Sequence, residues 1–61
     1  MSIRGKNAAI QMAVERAKRT KQAICVVQIG KDDYVLWRED TTEGLQLVYS
    51  HYKIVKTIRI R

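Results

Sequence analysis

The sequence predicts a small α+β domain spanning residues 1–61: one N-terminal helix packed on a three- to four-stranded antiparallel meander, as a two-layer sandwich. Three observations predict it. Apolar residues recur at helical spacing through the first third of the chain. Two β-branched runs follow, separated by a short polar turn. A last segment alternates apolar and polar residues as a strand does.

The helical stripe is Ile3, Ile10, Val14 and Ala17, with Ala9 and Ala13 in the same arc and Gln11, Glu15, Lys18 and Arg19 opposite. Glu15 and Arg19 stand four apart in the favourable order, worth a few tenths of a kcal/mol. Ser2 or Asn7 is the expected N-cap. Gly5 costs a first helical turn about 1 kcal/mol relative to alanine, so ordered helix is expected to begin after Asn7. Lys18, Arg19 and Lys21 crowd the last turn, where cations oppose the negative end of the helix dipole. Alanine in the stripe lets the helix approach a sheet closely.

The hairpin comprises Ile24-Cys25-Val26-Val27-Gln28-Ile29 and Tyr34-Val35-Leu36-Trp37-Arg38, joined by Gly30-Lys31-Asp32-Asp33 with its turn chemistry. With Ile29 opposite Tyr34, one face gathers Cys25, Val27, Ile29, Tyr34 and Leu36. The other gathers Ile24, Val26, Val35 and Trp37. Both faces are then largely apolar, and one helix covers only one of them.

Glu39 to Gly44 is a polar connection. Leu45, Leu47 and Tyr49 alternate as in a strand, while Leu45, Val48, Tyr49 and Tyr52 also fit one helical face with Thr41 or Thr42 as cap. The Val48-Tyr49 pair and the placement of Gly44 inside a first turn favour the strand. Ile54, Ile58 and Ile60 alternate with Val55, Thr57, Arg59 and Arg61, a strong strand pattern. The parity of the apolar positions flips between Tyr49 and Ile54, which calls for a bulge or tight turn near residues 50–53.

Composition narrows the function classes. At 61 residues folding buries only about 60% of the surface the unfolded chain exposes. Chains this short commonly add a disulfide, a metal or a second subunit. The single cysteine, Cys25, excludes an internal disulfide, and one cysteine with one histidine, His51, excludes a closed zinc site. No cofactor is expected. A homo-oligomer, a dimer first of all, is the remaining route. No apolar run approaches the ~20 residues that span a bilayer, so no membrane association is expected. The lone thiol suits a reducing compartment, giving a cytoplasmic expectation.

The formal charge of +6 is unevenly spread. Residues 1–22 hold six basic groups and one acid, residues 23–49 two basic groups and five acids, and residues 50–61 four basic groups and none. Arg4, Lys6, Arg16, Lys18, Arg19 and Lys21 at one end, with Lys53, Arg59 and Arg61 at the other, are the candidate contacts to nucleic acid or another acidic partner. Lys53, Arg59 and Arg61 would project from one strand face as a ladder along phosphates. Trp37, Tyr49 and Tyr52 would offer stacking surfaces. A solvated basic surface that aids solubility is the simpler reading.

The second apolar face, Ile24, Val26, Val35 and Trp37, is the candidate self-association surface, with Trp37 as its anchor. Met12 falls on the polar side of the helix, as isolated exposed methionines often do. Cys25 lies in the most apolar strand and reads as structural. Nothing places His51 beside it as a base, so no catalytic residue is expected. Asp32, Asp33, Glu39, Asp40 and Glu43 fall at turns and match no metal-binding loop. They would also suit the basic ends of a neighbouring subunit. In size and composition the chain resembles phage and mobile-element accessory proteins, a resemblance carried by no diagnostic residue. The expected function is that of a non-enzymatic binding protein, oligomeric and acting by contact with a protein partner. The alternative is a nucleic-acid-binding protein that uses its basic helix and basic last strand on phosphates.

Overall fold

In the computed structural model, which describes residues 2–60, the chain begins with a two-residue strand, β1 (Ile3–Arg4). It continues through helix α1 (Lys6–Thr20) and the hairpin strands β2 (Ile24–Gln28) and β3 (Asp33–Arg38). A kinked 3-10 segment (Glu39–Gly44) leads into a one-turn helix, α2 (Leu45–Val48), and the last strand is β4 (Lys53–Ile58). The four strands form one antiparallel sheet in the order β1-β3-β2-β4. A helix on an antiparallel sheet is the α+β architecture the sequence predicts.

The helix starts earlier than its sequence suggests. Ile3 belongs to β1, and neither Ser2 nor Asn7 caps α1. The N-cap is Gly5, at φ 92° and ψ 130°, a region that residues with a Cβ rarely enter. Gly5 N–H donates to the Asp32 carbonyl (3.1 Å), and Gly5 O accepts from Ala9 N–H (3.1 Å). The residue expected to delay the helix is therefore the corner between β1 and α1. At the other end Lys21 closes the helix in the left-handed conformation (φ 57°), donating its N–H to Ala17 O at 2.7 Å.

The hairpin register differs by one residue from the sequence reading. Gln28, not Ile29, pairs with Tyr34, and Ile29 N–H donates to Asp33 O at 2.9 Å. The turn therefore uses three residues, 30–32, instead of four. A slip of one residue exchanges the faces of one strand relative to the other. Ile24 and Val26 consequently share a face with Tyr34 and Leu36, and Cys25 and Val27 share the opposite face with Val35 and Trp37.

Each face has its own core. On one side, Ala9, Ala13 and Ala17 of α1 are wholly buried against Ile24, Val26 and Tyr34, with Ile3, Ile10, Leu36, Val55 and Ile58 packed around them. On the other side, Leu45 is wholly buried against Cys25, Val27 and Val35, bordered by Ile29, Trp37 and Tyr49. Residues 45–48 are helical, where the sequence favoured a strand. One turn of helix lets the chain fold flat against the second face and drop Leu45 into it, which an added strand beside β3 would not do. The chain after β3 therefore crosses this face, and β4 pairs with β2 instead of β3.

The expected irregularity before the last strand lies within it. The β2–β4 register shifts between Val26 and Val27: Val27 pairs with Ile54 and Val26 with Lys56, so Val55 is the bulged residue.

Candidate functional site

The bulge decides where the C-terminal cations go. Lys53 pairs with Gln28 and Lys56 with Val26, both on the α1 side of the sheet. Thr57 pairs with Cys25 on the opposite side. Arg59, two residues further, follows Thr57 and forms an ion pair with Glu39 of the segment that crosses the second face. The expected ladder of Lys53, Arg59 and Arg61 is thus split: its first two members lie on opposite sides of the sheet, and Arg61 lies outside the described residues. Lys56, which the sequence reading passed over, takes Arg59's place beside Lys53. Its signal was hidden, because strict alternation puts residues 53 and 56 on opposite faces and only the bulge restores them to one.

The N-terminal cations divide as well. Arg4 sits in β1, at the sheet edge furthest from β4, with Asp33 as its cross-strand partner. Lys6 opens α1 and Lys21 closes it. Arg16 and Met12 line a groove over the β3 edge. The flank of Ile10, Val14 and Lys18 is the other side of the buried alanine stripe, facing β4. Of the eleven lysine and arginine side chains described, only Arg38 and Arg59 form ion pairs, with Asp40 (3.4 Å) and Glu39. The basic groups are spread over the β1 edge, the ends and flanks of α1, one side of β4 and, for Arg59, the second face, instead of converging on one track.

The four residues expected to form a self-association patch do not share a surface. Ile24 and Val26 are 1% and 0% exposed beneath α1, while Val35 and Trp37 belong to the second core. The register slip separates the two pairs. Trp37 is a structural anchor of the chain itself. Its indole Nε1–H donates to Thr41 O at 2.6 Å, and its ring meets Tyr49 edge-on, centroids 6.2 Å apart. Other large apolar side chains remain exposed, Met12, Tyr52 and Ile60 among them. Leu47 and Val48 on α2 are 86% and 59% exposed, and Ile54, on the second face of β4, is 42% exposed.

Cys25 is 2% exposed and its Sγ lies 3.5 Å from Thr57 Oγ1 across β2 and β4. His51 is exposed in the loop before β4. Among the described residues no three His, Cys, Asp or Glu side chains gather as metal ligands, and no helix is long and apolar enough to cross a membrane.

A groove of about 340 Å³ lies over β3, and its walls come from both layers. Met12 and Arg16 of α1 form one wall, Trp37 and Tyr49 the other, and Ile3 closes the end beside β1. Comparison of the chain with protein-family models, with curated proteins and with solved structures returned no match.

Proposed function

We propose that this chain is a non-enzymatic binding protein that acts through contact with protein and associates with a second copy of itself through the outer side of α2. The observation that carries this reading is the pair Leu47 and Val48, exposed on a one-turn helix whose inner side buries Leu45 completely. Two adjacent aliphatic side chains turned outward are costly to leave in water, about 1.5–3 kcal/mol each when fully transferred. Ile54 extends the apolar surface on the same face of the sheet. A two-fold axis through this patch would set like against like, as symmetric dimers require. Cys25, buried beside Thr57, is not exposed as an attacking thiol would be.

Sedimentation velocity tests the reading. The wild-type chain is expected to show a dimer at high micromolar concentration, and the double substitution Leu47→Ser, Val48→Ser is expected to sediment as a folded monomer. A wild-type monomer across that range would end it.

One observation favours phosphate binding as a second reading: Lys53 and Lys56 lie on one side of β4, the side that carries α1. Binding of this kind weakens steeply with salt, with a log–log slope set by the number of phosphates engaged. Retention on single-stranded DNA at low salt that falls steeply, and that Lys53→Gln with Lys56→Gln abolishes, would support it. No retention at ~50 mM salt would dismiss it.

A further inference from the structure

β4 is an outermost strand of the sheet, with β2 on one side of it and β1 at the opposite edge. Hydrogen-bond alternation decides which of its backbone groups are open. Ile29 N–H donates to Asp33 O, and Glu39 N–H donates to Ala23 O. Residues 23, 25, 27 and 29 therefore turn their backbone groups toward β3, and Ile24, Val26 and Gln28 turn theirs toward β4. The partners of these three, Ile58, Lys56 and Lys53, point back at β2. Thr57 and the bulged Val55 lie between those residues and turn their N–H and C=O outward. No other strand or loop backbone bonds them among the described residues.

The side chains along this edge are of two kinds. Lys53 and Lys56 flank it on the α1 side, exposed and without an ion pair among the described residues. The bulge is what sets both on one side, three residues apart. Ile54, 42% exposed, and Thr57 flank it on the other side. Residues 50–61 hold four basic groups and no acid. A second copy pairing here would bring four more cations against them, which is how edge lysines refuse a strand of their own kind. A phosphate would answer the lysines and an outward N–H, but an outward C=O needs a donor. A peptide backbone supplies both.

We propose that the β4 edge is a docking site for an extended, acidic segment of a partner protein, which adds to the sheet as a further strand beside β4. Side chains of an added strand alternate between the two faces. Glutamate or aspartate on the α1 side stands beside Lys53 and Lys56, and aliphatic residues on the other side meet Ile54. Opposite charges across adjacent strands are favourable where like charges are not. This is strand addition, in which backbone hydrogen bonds supply affinity and alternate side chains supply selectivity. Docking of this kind rests on the protein-contact reading above but uses the β4 edge, not the outer side of α2.

The test uses the full chain and two end-blocked seven-residue peptides, one alternating valine with glutamate and one alternating valine with lysine. The Val55 and Thr57 amides are expected to exchange fast in the free chain and to slow when the valine–glutamate peptide is added. That peptide is expected to bind about fivefold more tightly than the lysine peptide, an exposed charge pair being worth that much. Lys56→Glu, an exposed change, is expected to reverse the order, and Lys56→Gln to bring the two affinities together. Leu47→Ser with Val48→Ser is expected to leave peptide binding unchanged, so loss of the dimer and loss of the β4 edge are told apart. Equal affinities of the wild-type chain for the two peptides, or exchange slowed elsewhere than along β4, would overturn the proposal. Protection of Val55 and Thr57 already present in the free monomer would also overturn it. Protection that appears only with dimer formation would assign the edge to a second copy and overturn it likewise. Binding of oligothymidylate that Lys53→Gln with Lys56→Gln abolishes, with neither peptide bound, would give the surface to phosphates instead.

Discussion

Trp37 and Thr41 are joined by a hydrogen bond from the indole Nε1 to the backbone carbonyl, 2.6 Å long and four residues apart in sequence. The bond fastens the end of β3 to the 3-10 segment that follows, so it sets the direction in which the chain crosses the second face. Trp37→Phe keeps an aromatic ring against Tyr49 but deletes the donor and leaves Thr41 O without it. A loss of about 1–2 kcal/mol of stability is expected, readable as a lower urea midpoint with an unchanged slope. Trp37→Ala also removes the ring and is expected to cost about 3–5 kcal/mol. A chain that unfolds with Trp37→Phe unchanged from wild type would show that the bond contributes nothing.

Gly5 and Lys21 should respond to substitution with opposite signs. Both have positive φ, 92° and 57°. A Cβ at Gly5 would meet no atom within 4 Å, so the constraint there is purely in the backbone. Gly5→Ala is expected to destabilise the chain by about 1–3 kcal/mol. Lys21→Gly relieves a left-handed lysine at a helix end and is expected to stabilise it by about 0.5–1 kcal/mol. Thermal unfolding of the two variants, followed by far-ultraviolet dichroism, measures both. Shifts of the same sign would refute the account.

Ala13 is the middle of the alanine stripe and has no exposed surface. Its small side chain sets how closely α1 approaches β2 and β3. Ala13→Leu, though a good helix former, is expected to cost about 1–3 kcal/mol through overpacking. Gln11→Leu, on the exposed side of the same helix, should change stability by under about 0.5 kcal/mol. Chemical denaturation of the pair separates packing from helix propensity.

The alanine stripe was legible because a 3.6-residue period needs nothing beyond the helix itself. The hairpin was legible as two strands but not in register. Gly30-Lys31-Asp32-Asp33 has turn chemistry for a loop of either three or four residues, and the choice falls to the Ile29 N–H to Asp33 O bond. That one bond also explains the miss at the candidate patch, since it sends Ile24 and Val26 under α1 and leaves Val35 and Trp37 on the other side. Residues 45–48 fit both periods. What settles them is distant: the hole over Cys25, Val27 and Val35 that Leu45 fills. The demand for a second cover was visible in the sequence, because both hairpin faces are apolar, whereas the identity of the cover was not. The β4 bulge has no residue that marks it. Neither glycine nor proline stands at Val55, and the shift shows only when β4 is laid against β2. The β3 groove was beyond reach for the same reason, since Met12, Arg16, Trp37 and Tyr49 come from three separate segments.

Cys25 offers a direct reporter on the β2–β4 pairing. With 2% exposure and Thr57 beside it, its thiol should react with a neutral aromatic disulfide only when the sheet opens. Labelling is expected to be slow in buffer and to accelerate with urea in parallel with unfolding. Fast labelling in buffer would mean that β4 detaches while the rest stays folded.

The strand order has a consequence for the timing of folding. β2 lies between β3, made soon after it, and β4, made last, and Ile24 meets Ile58 across that pairing. A nascent chain that has emerged only as far as Tyr49 holds the helix, the hairpin and Leu45, yet its central strand still has one bare flank. Val26 and Val27, wholly buried in the finished sheet, then lie in an edge strand open to any other extended segment. Completion waits until Ile58 reaches its pairing with Ile24, so a pause before β4 leaves the central strand open.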